Sequence, residues 1–79
     1  MTNKEKYNNA FIETLEIGEE KLKGLNYQDI GTWDSIGHMN LIAVLEDSFD
    51  IMMDTDDIIA FSSYEKGMEI LSSNYGVQF

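Results

Sequence analysis

The chain has 79 residues, enough for one domain but not for a second core, and a domain this short buries only roughly 60% of its unfolded surface, which argues against a deep catalytic pocket. It contains no Cys, so a disulfide framework and a thiolate metal site are both excluded. Fifteen acids face five lysines and no arginine, for a formal charge of −10, which argues against nucleic-acid binding and favours basic partners.

In chain order, Tyr7, Phe11 and Leu15 recur every four residues with Ala10 and Thr14 beside them, predicting a first helix from Asn3 to about Ile17 that Gly18 ends. A long connection follows to Trp33, punctuated by Gly24 and Gly31. Leu22, Leu25, Tyr27, Ile30 and Trp33 are spaced to anchor it on the core, so an ordered but irregular loop is expected.

The second helix is expected to start at Asp34 or Ser35, either able to cap it, and to end near Phe49 or Asp50. Counted at 100° per residue from Ser35, His38, Leu41, Ile42, Leu45 and Phe49 share an arc and form the buried face, with Ser35 on its border. Ile36, Asn40, Ala43 and Asp47 point away, with Met39 and Glu46 on the border. A third helix of at most two turns, capped by Asp54 or Thr55, buries some of Ile58, Ile59 and Phe61. Ser62 and Glu65 form a capping-box pattern for a last helix, in which Tyr64, Met68 and Leu71 share a face. Gly67 weakens that helix by about 1 kcal/mol relative to Ala. With no Pro, no sustained alternation and four periodic stretches, the fold class is all-α: a four-helix bundle with a long first loop and a short third helix, in a single domain over residues 1–79.

The charge is unevenly placed. All five lysines lie outside the stretch from Gly24 to Glu65, which carries nine acids. A single-sign field of that length costs self-repulsion and suits the steering of a basic partner. No apolar run is long enough to span a membrane and the amino terminus shows no secretory pattern, so a cytoplasmic location is expected; separately, the chain is expected to be a monomer.

Asp34-Ser35 stands where the loop turns into an amphipathic helix, which exposes the Ser35 hydroxyl at a helix N-terminus, a place that favours negative charge. Alone, the dipeptide reads most simply as a cap. The larger frame is more specific. Trp33-Asp34-Ser35-Ile36-Gly37-His38-Met39, the later Leu45-Glu46-Asp47-Ser48-Phe49-Asp50 and the short acidic helix after it resemble the acyl carrier protein family over essentially the whole chain.

That resemblance implies a four-helix acyl-carrier-like fold and a 4'-phosphopantetheine arm on Ser35, taken from coenzyme A by a separate magnesium-dependent phosphopantetheinyl transferase. The arm's thiol would carry an acyl, aminoacyl or polyketide intermediate as a thioester. By the same resemblance, Asp34 helps present the serine. Ile36, Met39, Ala43, Glu46 and Asp47 form the surface that docks basic patches on the transferase and on loading and transfer enzymes. The sequence departs from fatty-acid-synthesis members of the family, which have Leu after the serine and further acids on the helix's first turns, where this chain has Ile36, Gly37 and Asn40. Trp33 looks more like dedicated carriers of polyketide, aminoacyl or surface-polysaccharide pathways.

Other chemistries fit less well. His38, three residues after Ser35, is a conceivable general base, but a Ser-His hydrolase needs an oxyanion hole and a sheltered cleft, and the chain has no Gly-rich nucleophile elbow. An imidazole bonded to a carbonyl of the long loop is the simpler reading. Asp50, Asp54, Asp56 and Asp57 lack the alternation and glycine of an EF-hand loop, so no metal site is expected. Met52 and Met53 read as core filling ahead of the lining of an acyl channel. The competing function is an unmodified acidic helical module that binds a basic protein through its second helix and makes no use of Ser35.

Overall fold

The structure, a computed structural model, describes residues 1–79. Four α-helices, α1 (Asn3–Leu15), α2 (Ser35–Phe49), α3 (Thr55–Ala60) and α4 (Tyr64–Tyr75), surround one hydrophobic core, with a 3₁₀ turn at Glu19–Lys21. There is no strand; a single bridge joins Asn26 to Ser63. No helix is long and apolar enough to cross a membrane.

The first helix starts as a capping box at Thr2 and Glu5, whose backbone N–H groups each donate to the other's side chain. It stops earlier than expected, and not at Gly18. Glu16 adopts a left-handed conformation, φ 56° and ψ 50°, and closes the helix by donating its N–H to the Ile12 carbonyl. Tyr7, Ala10, Phe11 and Leu15 are buried, the stripe set by the helical period.

The connection to α2 is held by side chains and backbone together. Leu22, Leu25 and Trp33 are buried, while Tyr27 and Ile30 pack on the core half-buried. The Thr32 hydroxyl donates to the Leu15 carbonyl at 2.7 Å, fastening the loop to the end of α1. Two backbone bonds, Tyr27 N–H to Ser62 and Tyr64 N–H to Leu25, fasten it to the start of α4. The backbone polar groups of an irregular segment must find partners somewhere, and here they find them across the fold.

Two expectations are corrected, the capping box at the start of α4 and Met52 as core filling; the others are refined. Ser63, not Ser62, caps α4 by accepting from the Lys66 N–H, while Glu65 accepts from the Gly24 N–H at 3.0 Å instead of closing a capping box. The core face of α4 is Tyr64, Gly67, Ile70 and Leu71, with Met68 only half-buried. Gly67 is there because a Cβ would strike the Phe61 ring and the Tyr7 hydroxyl, so its helix-propensity cost is outweighed by close packing. The two methionines part ways: Met53 joins the core and Met52 is 88% exposed. In α3 no residue is fully buried; Ile58 is half-buried, Ile59 is exposed, and Phe61 just beyond the helix enters the core.

Candidate functional site

Asp34 is the N-cap of α2. Its backbone is extended and its Oδ1 accepts from the Gly37 N–H at 2.8 Å. Capping is thereby done by Asp34, and Ser35, the first helical residue, is exposed with its hydroxyl free of that duty. The His38 N–H is taken by the Asp34 carbonyl, so the Ser35 and Ile36 N–H groups are those left open at the positive end of the helix. Gly37 is buried under the loop, where a Cβ would collide with the Thr32 carbonyl oxygen. The loop therefore crosses close over the first turn of α2, and that closeness accounts for a glycine where an acidic side chain would not fit.

Ser35 stands at the rim of a cleft of about 310 Å³ lined by Tyr27, His38, Met39, Ile58, Ile59, Phe61 and Ser62. The lining is mostly apolar, and it lies between the start of α2, α3 and the long loop. The sequence shows the rim, Ser35 and Met39, but not the far wall. Tyr27 of the long loop and Ile58, Ile59, Phe61 and Ser62, in and just after α3, meet the start of α2 only through the tertiary fold.

His38 is engaged at both ring nitrogens. The Trp33 Nε1–H donates to Nδ1 at 2.9 Å, and Nε2 lies 2.8 Å from the Ile58 carbonyl oxygen. An indole N–H is only a donor, so Nδ1 is the acceptor and the proton sits on Nε2, which donates to Ile58. Neither nitrogen is free to take a proton from Ser35. The carbonyl partner comes from α3, not from the long loop as the sequence suggested.

Along the outer side of α2, Ile36 is 72% and Met39 55% exposed, and Ala43 and Asp47 are exposed. These four form a stripe continuing from Ser35. Glu46 does not belong to it in the same way: it is half-buried and its Oε2 accepts from the Met53 N–H at 2.9 Å, holding the turn after the helix. Asp57 is likewise occupied, accepting from the Asn74 side chain at 3.0 Å and the Tyr75 hydroxyl at 2.6 Å. The Asp57 carboxylate thus serves the attachment of α3, and no group of three or more acids or His is arranged to hold a metal ion. Compared with protein-family models, with curated proteins and with solved structures, the chain finds no match.

Proposed function

We propose that the protein is a carrier of the acyl-carrier type, which holds an intermediate as a thioester on a phosphopantetheine arm esterified to Ser35. One observation carries this reading. Ser35 is exposed at the first position of α2, released from capping by Asp34, beside open N–H groups and at the rim of an apolar cleft. A phosphodiester at that oxygen would meet the positive end of the helix dipole. The cleft can shelter an apolar group at the end of a folded-back arm, and its size suits a short chain.

In forming the ester, Ser35 Oγ attacks the coenzyme A phosphate that bears the pantetheine, the pyrophosphate bond breaks with adenosine 3',5'-bisphosphate as leaving group, and the serine proton goes to a base of the transferase, since His38 has no free nitrogen. The carrier itself then performs no chemistry. The exposed stripe of Ile36, Met39, Ala43 and Asp47 presents apolar contacts with negative charge, suited to weak, steered docking on basic patches. Delivery follows from tethering, which replaces encounter from bulk with a high effective concentration.

The same stripe also serves the second reading, an acidic module that binds a basic partner without modification. Intact mass separates the two after incubation with coenzyme A, magnesium and a broad-specificity phosphopantetheinyl transferase. The carrier reading expects the wild type to gain one arm and Ser35→Ala to gain none. Gain of the arm by the alanine variant refutes the site, and an unmodified wild type refutes the carrier reading.

A further inference from the structure

The short helix that forms the far wall of the cleft is attached in an unusual way. None of the residues of α3 is fully buried, and its N-cap, Asp54, contributes no side-chain bond. Polar ties hold it instead. On one side, Asn74 and Tyr75 of α4 bind the Asp57 carboxylate, and the Asp54 N–H donates to the Tyr75 hydroxyl at 2.8 Å. On the cleft side the side-chain tie is His38 Nε2–H to the Ile58 carbonyl, which joins α3 to α2.

That tie depends on the protonation state of the imidazole. Nδ1 must remain an acceptor because it faces the indole N–H of Trp33, a fully buried side chain with no access to water. A proton added at Nδ1 sets two donors against each other at a separation of 2.9 Å. The ring must then turn away from Trp33. Both nitrogens sit in one rigid plane, so the turn also withdraws Nε2 from Ile58.

The surroundings of the ring offer no charged acceptor, and Ser35 and Ser62, which line the same cleft, carry neutral hydroxyls. Tyr27 and Phe61 place ring centroids 5.3 and 5.8 Å from that of His38, both steeply inclined to it. Their π-systems can soften the charge but cannot accept the second proton in the plane of the ring. Tyr27 from the loop is a titratable side chain packed on the imidazole. On α2 itself the Asp34 carboxylate is turned to the Gly37 N–H, and on α3 the Asp57 carboxylate is turned to α4. No carboxylate oxygen lies within 4.0 Å of either His38 nitrogen.

We propose that His38 is a protonation-sensitive latch on the cleft beside Ser35. Neutral, it ties α3 to α2 and keeps the wall closed; protonated, it releases Trp33 and Ile58 together and frees the cleft side of α3. Its meaning as control over a carried group rests on the carrier reading, but the latch itself is a property of the unmodified chain and is tested there. The full chain is titrated from about pH 8 to about pH 5, the interval in which imidazoles change charge. Three signals are followed by NMR: the His38 ring resonances, the indole N–H of Trp33, which is unambiguous because the chain has one tryptophan, and amide exchange along all four helices.

The indole resonance should move with the same midpoint as the His38 ring. Residues 55–60 should lose exchange protection across it, while the core amides of α1 and α4 keep theirs. His38→Gln can accept from Trp33 through its carbonyl and donate to Ile58 through its amide, and it should hold α3 protected across the whole range. A His38 ring that stays neutral across the whole range overturns the latch, as do an indole resonance that stays fixed while His38 titrates and equal loss of protection in the glutamine variant, which would assign the effect to the acids of α3. The wild-type comparison stands even where the variant does not fold, and neither readout depends on modification of Ser35.

Discussion

Gly67→Ala separates local propensity from packing, because the two predict opposite signs. In an exposed helix the substitution should stabilise by about 1 kcal/mol. At this position the new methyl meets the Phe61 ring and the Tyr7 hydroxyl, both on buried and rigid side chains, with Tyr7 further fixed by its 2.7 Å bond to the Tyr64 carbonyl. Forcing extra volume into such a site costs about 1–3 kcal/mol, and displacing the Tyr7 hydroxyl forfeits a buried hydrogen bond of about 1 kcal/mol. Subtracting the propensity gain leaves a net destabilisation of about 2 kcal/mol, or a fall in Tm of roughly 8–16 °C for a domain of this size. Thermal and urea unfolding followed by circular dichroism would measure it, with Ser73→Ala, exposed on the same helix, as the control for propensity alone. A Gly67→Ala variant as stable as the wild type would refute the packing account.

Asp34→Ala should cost about 1 kcal/mol in urea unfolding through loss of the bond to the Gly37 N–H, whereas Ser35→Ala, which removes no cap, should leave the midpoint nearly unchanged; equal costs would place the cap wrongly. Asp47→Lys should slow modification by the transferase at low salt, with the deficit shrinking as salt rises, while Glu46→Lys should also lower stability because it abandons the Met53 N–H; an unchanged rate for Asp47→Lys at low salt would rule out this docking surface. Burial raises the Tyr7 phenol, and burial with the nearby Glu65 charge raises that of Tyr64. Their contribution to stability is therefore fully present below the unfolded phenol value of about 10 and is lost as pH rises through the folded values. Ultraviolet titration should show Tyr7 ionising only together with loss of the helical signal, and ionisation of all four phenols in a still-helical chain would contradict it.

How far the sequence carried depended on the range of the interactions. The helix period found the buried faces of α1 and α2, and Asp34 marked the start of α2, because these rest on neighbours within one or two turns. Leu22, Leu25 and Trp33 were legible as loop anchors from spacing alone. Errors arose where a distant partner prevailed. Glu65 was drawn from the expected capping box to a backbone N–H 41 positions away, and the need for Gly67 came from rings on α1 and beside α3. The end of α1 was missed because Glu16, not a glycine, takes the left-handed turn. His38 was correctly placed on the inner arc, but its partner lies 20 residues on, and no local pattern announces such a bond. The cleft was invisible for the same reason: its far wall is assembled from segments that only the closed fold brings together.

The manner in which α3 is attached also sets an order of events during synthesis. Six residues are too few to hold a helix in water without outside contacts, since isolated helices below about 12–15 residues are marginal even with favourable composition. Residues 55–60 are synthesised before Asn74 and Tyr75, which later bind Asp57 and Asp54. At about 5–20 residues per second, that gap is on the order of seconds. Until those two residues have been made, the far wall of the cleft has no anchor on the α4 side. The vectorial growth of the chain thus completes the bearer of the hydroxyl first and the shelter beside it last.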